Sequence, residues 1–343
     1  MLNSLFASQK AWGKKQEETK MSQQSEMHLF APGHSGCPGC APSTVLIHVV
    51  DTLGKDIIVV NATGCMEITS SQYPHSAWRV PYIHSLFENA PAVASGISAA
   101  LKAKGNHHTK VVVIAGDGST YDIAFGSLSG MLERGDDVIY CCYDNELYAN
   151  TGVQKSGATP IGAATTTSQA GKVHHGKEKE RKPIVEIAAA HNIPYAASAS
   201  IAFVADFQAK LKKAAQISGS KFITVNAPCA LGAGFDGSIS MKVARLAVQS
   251  RMWFLFEYEN GFFKLNFNPK VAKPVAEYMQ LQKRFRHLTP EEIEKIQKLC
   301  DHHYIEMLER QKASDAKKIV FDAVTQPPST PPASPSAPAA PKT

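Results

Sequence analysis

Val111-Val112-Val113-Ile114-Ala115-Gly116-Asp117-Gly118-Ser119-Thr120 is a continuous apolar run that breaks on a Gly-Asp-Gly turn. Such a run, bounded by glycine, reads as a strand buried on both faces, the habit of a parallel sheet. A helical stretch follows, with Ile123, Leu128, Met131 and Leu132 on one face and Gly135 closing it. A second buried run, Val138 to Tyr143, stops at Asp144-Asn145-Glu146. Two strands joined by a crossover helix therefore each deliver side-chain oxygens at their carboxyl ends. In open parallel sheets that edge is where ligands bind.

The residue types there suit a diphosphate held through a divalent cation, which needs hard oxygen ligands in near-octahedral array. Asp117 offers a carboxylate, Asn145 a side-chain carbonyl, and the backbone near Leu147 a third oxygen. Gly116 and Gly118 let the chain turn sharply toward phosphates, and a helix N-terminus after Thr120 favours negative charge. Taken alone, Asp-Gly is an ordinary turn dipeptide. The second strand, ending in Asp144-Asn145, favours the cation.

The chain has 343 residues, 44% hydrophobic and 19% charged, enough to bury a sizeable core in one large domain or two smaller ones. Its formal charge of +6 is spread out, and no basic block is interleaved with aromatics, which disfavours nucleic acid. No apolar stretch is long enough for a membrane span, and no apolar signal core opens the chain. The expectation is a cytoplasmic protein. Seven cysteines in such a chain read as metal ligands or core residues before disulfides.

Four of these cysteines share a grammar. Cys37 and Cys40 stand in Gly33-His34-Ser35-Gly36-Cys37-Pro38-Gly39-Cys40, a tight loop before a helix that opens at Pro42. A CxxC pair of this kind admits zinc, an iron–sulfur cluster or a redox dithiol. The strand Ile57 to Val60 runs on into Asn61-Ala62-Thr63-Gly64-Cys65, and Phe222 to Val225 into Asn226-Ala227-Pro228-Cys229. Cys65, Asp117, Asn145 and Cys229 each lie just past a buried strand, so a parallel sheet gathers them along one rim. The spacing 37–40–65–229 lacks the two close pairs usual for zinc. It suits a [4Fe–4S] cluster, which takes four thiolates and tolerates a distant one. Cys141 and Cys142 are adjacent in a strand and face opposite ways, and Cys300 falls on an apolar helix face. All three are expected in the core.

The remaining stretches organise around this rim. Tyr73 to Gly105 reads as an aromatic loop followed by a small-residue helix, Ala90 to Lys104, capped by Glu88-Asn89. His75, His84 and His174-His175 are expected to be loop, core or surface residues. After Asn145, a long loop from Ser156 to Lys172 is expected to wrap the cofactor, and Asn150 to place an amide near the reacting carbon. Helix 183–191, strand 194–197 and helix 204–217 complete the alternation. The aromatic strand from Trp253 to Tyr258 is a candidate for pairing on another chain. A capping box, Thr289-Pro290-Glu291-Glu292, opens a last helix to about Lys312. Four regions result: a loose arm (1–28), an α/β domain carrying the cysteine site (29–238), a helical and aromatic extension packing on partner subunits (239–325), and a disordered Pro-rich tail (326–343).

The interval from Gly116 to Asn145, 30 residues counted inclusively, is the frame of the thiamine diphosphate motif, which opens with GDG and closes on Asn. Together with Val60-Asn61-Ala62-Thr63-Gly64-Cys65, Phe87-Glu88-Asn89-Ala90, Tyr143-Asp144-Asn145-Glu146, Ala227-Pro228-Cys229, Tyr258-Glu259-Asn260-Gly261 and Lys273-Pro274-Val275, it resembles the β subunit of pyruvate:ferredoxin oxidoreductase, of the 2-oxoacid:ferredoxin oxidoreductase family. The likeness covers roughly residues 30–310. Pro38, with Ser35 and Gly36 ahead of Cys37, departs from it.

The resemblance implies a Rossmann-like thiamine diphosphate-binding α/β fold, a mostly parallel sheet with helices on both faces. It implies a [4Fe–4S] cluster on Cys37, Cys40, Cys65 and Cys229, and Mg²⁺ on Asp117, Asn145 and the Leu147 carbonyl. Thiamine diphosphate would be held by Gly116, Asp117, Gly118, Ser119, Asn145, Leu147, Asn150, Thr151 and Gly152, with Asn150 on the substrate side. Further implied are α, γ and ferredoxin-like δ subunits, the α subunit bringing the activating glutamate. A 2-oxoacid, pyruvate first and a branched-chain, aromatic or oxalate relative second, is then decarboxylated, its acyl group passing to coenzyme A and its electrons through the cluster to ferredoxin. A zinc-stabilised nucleotide-binding module is the reading from a different class.

Overall fold

The computed structural model describes residues 28–325 apart from Lys270. The expected arm (1–28, except His28) and tail (326–343) lie outside the described residues. In chain order, α1 (Ala41–Leu53) leads to β1 (Ile57–Ala62), α2 (Cys65–Ser70), β2 (Tyr82–Ser85), α3 (Ala90–Ala103) and β3 (Lys110–Gly116). Next come α4 (Phe125–Glu133), β4 (Val138–Asp144), α5 (Ile184–Ala189), β5 (Tyr195–Ser200), α6 (Val204–Gln216) and β6 (Lys221–Asn226). The chain continues as α7 (Ala230–Ala233), α8 (Ser240–Gln249), β7 (Phe256–Glu259), β8 (Phe262–Leu265), α9 (Val275–Met279) and α10 (Pro290–Thr325).

The strands form one sheet of eight in the order β2-β1-β3-β4-β6-β5-β7-β8. The first six are mutually parallel, with β4 buried at every position and β3 at all but its ends. Continuous apolar runs produce this because side chains on both faces meet helices. Val45, Leu46 and Val49 of α1 and Phe207 and Leu211 of α6 cover one face; Leu128 and Met131 of α4 and Ile184 and Val185 of α5 cover the other. Cys141 and Cys142 point to opposite faces and are buried, as expected. From β1 the chain moves outward to β2 and then crosses back to β3. The strand order reverses between β1 and β3, the position at which such sheets open a crevice.

Several expectations are corrected. The aromatic stretch is not left for another chain. Its Phe256–Glu259 segment is β7, antiparallel to β5, and β8 pairs with it, so the sheet crosses the expected boundary at residue 239. The last helix runs past Lys312 to Thr325, although its capping box forms as expected: the Thr289 backbone N–H donates to Glu292 Oε2 at 2.8 Å and the Glu292 N–H to Thr289 Oγ1 at 3.3 Å. The aromatic loop after Tyr73 holds a short strand, β2. Asn89 precedes α3, but its side chain accepts from Ser85 Oγ and does not cap the helix. After Asp117 the chain makes a wide π-helical turn, Gly118–Ile123, before α4 begins at Phe125, and Ile123 is exposed by it. The anion-favouring helix start expected after Thr120 is therefore displaced by this turn, a form frequent at functional sites.

Candidate active site

Thr63, Gly64 and Cys65 after β1, Gly116 to Ser119 after β3, and Asn145, Leu147, Tyr148, Ala149, Asn150 and Thr151 after β4 line one cleft, with Phe87 and Tyr143. All the candidate cofactor-binding residues line it except Gly152, which lies just beyond. Gly118 is required by packing: a Cβ there would stand 2.3 Å from the Tyr148 ring, whose hydroxyl donates to the Gly118 carbonyl at 2.7 Å. Gly64, at φ +157, passes under the Tyr143 hydroxyl, 2.8 Å from where a Cβ would lie.

Asp117 is 1% exposed and faces Asp144 across neighbouring strand ends. Burial, and then the Asp144 charge, raise its affinity for a proton well above the carboxylate norm. Burial likewise lifts Asp144 to about 7, against the pull of Arg181. Two carboxyls crowded in this way call for a positive charge. The Asn145 amide has one terminal atom 3.0 Å from Asp117 Oδ1 and 2.7 Å from the Leu147 carbonyl oxygen. As nitrogen it would donate to both; as oxygen it completes three converging hard ligands. A magnesium ion fits that donor set, with Asp117 Oδ2 held from behind by the Ser156 hydroxyl at 2.5 Å. The loop from Ser156 thus braces Asp117 from the buried side; it does not line the cleft as expected.

The four candidate cluster ligands come together at the same rim, and none is in a disulfide. Burial raises the Cys65 thiol to about 12, and the Cys229, Cys40 and Cys37 charges add to the effect. Cys40 and Cys229 are raised by burial too, each feeling Cys37. Backbone geometry fixes the set. Gly39 lies against the Gly237 backbone so closely that a Cβ would meet its carbonyl oxygen at 2.2 Å, and Ser240 Oγ donates to the Gly39 carbonyl at 2.6 Å. That seats the Cys37–Cys40 loop beside Cys229, whose Sγ accepts from the Gly232 N–H at 3.3 Å. Asn150 lies by Cys65 and favours its thiolate. Among the described residues, no three His, Cys, Asp or Glu side chains close on a single metal ion.

Sequence reasoning missed what holds the turn. Glu146, at φ +69 and 1% exposed, carries two arginines: Arg181 Nη2 at 2.7 Å from Oε1, and Arg284 on Oε2. The Tyr278 hydroxyl donates to the same Oε2 at 3.2 Å. Adjacency of Glu146 to Asn145 was its one sequence signal. His84, against Thr63 Oγ1 at 2.8 Å and Glu67, and the exposed His174 and His175, each with a glutamate, are at no candidate ligand position. No helix among the described residues is long and apolar enough to cross a membrane.

Residues 62–225 match the family described as thiamine pyrophosphate enzyme, C-terminal TPP binding domain. That span contains the cleft and supports thiamine diphosphate as its ligand. The chain is 48% identical over 276 residues to pyruvate synthase subunit PorB of Methanothermobacter marburgensis, covering 80% of this chain and 96% of that one. It is 50% identical over 279 residues to pyruvate synthase subunit PorB of Methanocaldococcus jannaschii, covering 79% and 94%. With ketoisovalerate oxidoreductase subunit VorB of Pyrococcus furiosus it shares 47% over 280 residues, covering 80% and 90%. A thiamine diphosphate cleft at the switch point of the sheet, joined to identity of this order across nearly the whole of these PorB and VorB relatives, makes the chain a member of the 2-oxoacid:ferredoxin oxidoreductase family.

Proposed function

We propose that the chain is the thiamine diphosphate- and [4Fe–4S]-binding subunit of a pyruvate:ferredoxin oxidoreductase, which converts pyruvate and coenzyme A to acetyl-CoA, CO2 and a proton while two electrons leave one at a time for ferredoxin. The observation that carries this reading is that Cys65 and Asp117 line one cleft. Asp117, Asn145 and the Leu147 carbonyl hold Mg²⁺. The backbone of Gly116 to Ser119 receives the diphosphate, and Cys37, Cys40, Cys65 and Cys229 hold the cluster. Thiamine diphosphate, when bound, supplies the electron sink for decarboxylation. Asn150, between cleft and thiols, orients the substrate carbonyl at the cluster side. The chain works in the cytoplasm with α, γ and ferredoxin-like δ subunits and is active only with them, the α subunit bringing the activating glutamate.

Anaerobic purification of the complex tests the reading. A brown absorption band near about 400 nm that dithionite bleaches is expected, with four sulfurs supplied by this chain. A colourless preparation containing zinc would overturn the cluster and return the chain to a zinc-stabilised nucleotide-binding module. The near-equal identity to PorB and VorB relatives supports a second substrate reading, 2-ketoisovalerate. Turnover with coenzyme A and a low-potential acceptor across a panel of 2-oxoacids decides between them.

A further inference from the structure

Three strand ends meet at the active-site cleft, and one side chain spans them. Tyr143 lies on β4, two positions before Asn145, and stands in register with Gly116 at the end of β3. It is 2% exposed and belongs to the cleft lining. Its ring extends sideways across the sheet edge. Cε2, Cζ and Oη lie 3.1, 3.2 and 3.2 Å from where a Cβ on Gly116 would stand, and the same Oη lies 2.8 Å from where one on Gly64 would stand. Apart from the chain neighbours of Gly64, no other described group comes within 4 Å of that second point. Oη also takes a hydrogen bond from the Met66 N–H. Gly64 and Met66 flank Cys65 in sequence. The hydroxyl therefore holds the Cys65 turn from both sides, while the ring edge rests on the turn that leads into Asp117. A contact of this kind, in an interior of low compressibility, passes a displacement on instead of absorbing it.

We propose that Tyr143 is a positioning residue that couples the two halves of the site: a cofactor seated on the Gly116–Gly118 turn bears, through this ring, on the Cys65 turn and so on the cluster. This coupling presupposes the thiamine diphosphate and cluster reading. Tyr143 itself is a ligand to neither group. Coupling between two sites is reciprocal. If diphosphate on one turn changes the electron affinity of the cluster, reducing the cluster changes the affinity for the diphosphate by the same factor. The hydroxyl is the joint. Removing it frees the Met66 N–H and opens the contact at Gly64, while the ring edge stays against Gly116. Tyr143→Phe therefore uncouples the turns without emptying either site. The direct field of the bound cofactor acts through space and survives the substitution, so the difference between the two proteins is the share that the side chain carries.

The test is a redox titration of the anaerobically purified complex, with and without thiamine diphosphate and Mg²⁺, for the wild type and Tyr143→Phe. Iron and bound cofactor should be equal in the two proteins. In the wild type the cofactor should change the electron affinity of the cluster about fivefold, which is about 40 mV at about 59 mV per tenfold. The thiamine diphosphate Kd of the dithionite-reduced protein should differ from that of the oxidised protein by the same factor. In Tyr143→Phe both differences should fall to about half or less. A wild-type midpoint that ignores the cofactor, or a response of equal size in the two proteins, overturns the coupling and leaves the cluster reading standing. Loss of iron from Tyr143→Phe with the cofactor retained overturns it as well, by making the hydroxyl a prop of the cluster alone. A colourless wild-type preparation without iron overturns both readings together.

Discussion

Cys65 and Asp117, at the carboxyl ends of the hydrogen-bonded neighbours β1 and β3, line the same cleft. The thiol is delivered by a strand–helix junction and the carboxylate by a glycine-flanked turn. Their roles are nevertheless chemically separable, because one belongs to a soft donor set and the other to a hard one. Asp117→Ala should therefore lose thiamine diphosphate-dependent turnover and weaken cofactor binding by about a hundredfold, while the iron content stays at the wild-type level. Cys229→Ser should do the reverse, lowering iron while retaining bound thiamine diphosphate. Cofactor and iron analysis of the two purified variants checks the pair; loss of both groups in either variant would contradict separate sites.

Asn150 favours the thiolate of Cys65 from inside the cleft. A donor aimed at a cluster sulfur stabilises the reduced state, so removing it lowers the potential. Asn150→Ala should shift the cluster midpoint down by about 40 mV, the equivalent of roughly 1 kcal/mol for one electron. Redox titration followed by electron paramagnetic resonance measures it. An unchanged potential together with a lost kcat would confine Asn150 to the substrate side.

Cys65, Asp117, Asn145 and Cys229 were legible in the sequence because each follows a buried strand, and Cys37 and Cys40 because they form a CxxC pair. Val111 to Ala115, Val138 to Tyr143 and Phe222 to Val225 are short apolar runs rich in β-branched and aromatic residues, which favours buried strands over helix, and the residue after such a strand lies at the sheet edge. The parts that were not legible depend on long-range partners or on short, mixed segments. Glu146 meets Arg284 138 positions away, which no local pattern encodes. Strand β2 is four residues long with two exposed side chains. Residues Trp253 to Tyr258 are apolar without a clean alternation, and it is only the exposed edge of β5 that makes the last three of them a strand. The π-helical turn after Asp117 likewise has no periodicity of its own.

Glu146 prompts a stability prediction. Its carboxylate is buried with Arg181 and Arg284, and removing one partner of such a set leaves the others uncompensated. Glu146→Ala should destabilise the fold by about 3–5 kcal/mol, whereas Glu146→Gln, which keeps the shape and an acceptor, should cost less. Thermal denaturation of both variants alongside the wild type checks the order. Because Glu146 separates Asn145 from Leu147, the alanine variant should also bind Mg²⁺ less tightly, measurable by titrating thiamine diphosphate retention against the metal.

Glu257 sets a pH dependence at the other end of the sheet. Burial on β7 would raise its carboxyl, but the Tyr195 hydroxyl at 2.7 Å, Lys213 at 3.1 Å and the Asn266 amide at 3.3 Å outweigh that and hold it below the usual value. A carboxyl whose folded value is depressed binds fewer protons than the unfolded chain does. Its stabilisation is thus complete above the ordinary glutamate range, about 4.5, and is lost as pH falls through the lower folded value. The wild type should therefore exceed Glu257→Gln in melting temperature at about pH 7, and the gap should narrow steadily below about pH 4.5. Melting curves of the two proteins across that range give the answer. A gap that stays constant into acid would mean that Glu257 contributes through its shape and neutral hydrogen bonds alone, and that the β5–β7 junction owes nothing to its charge.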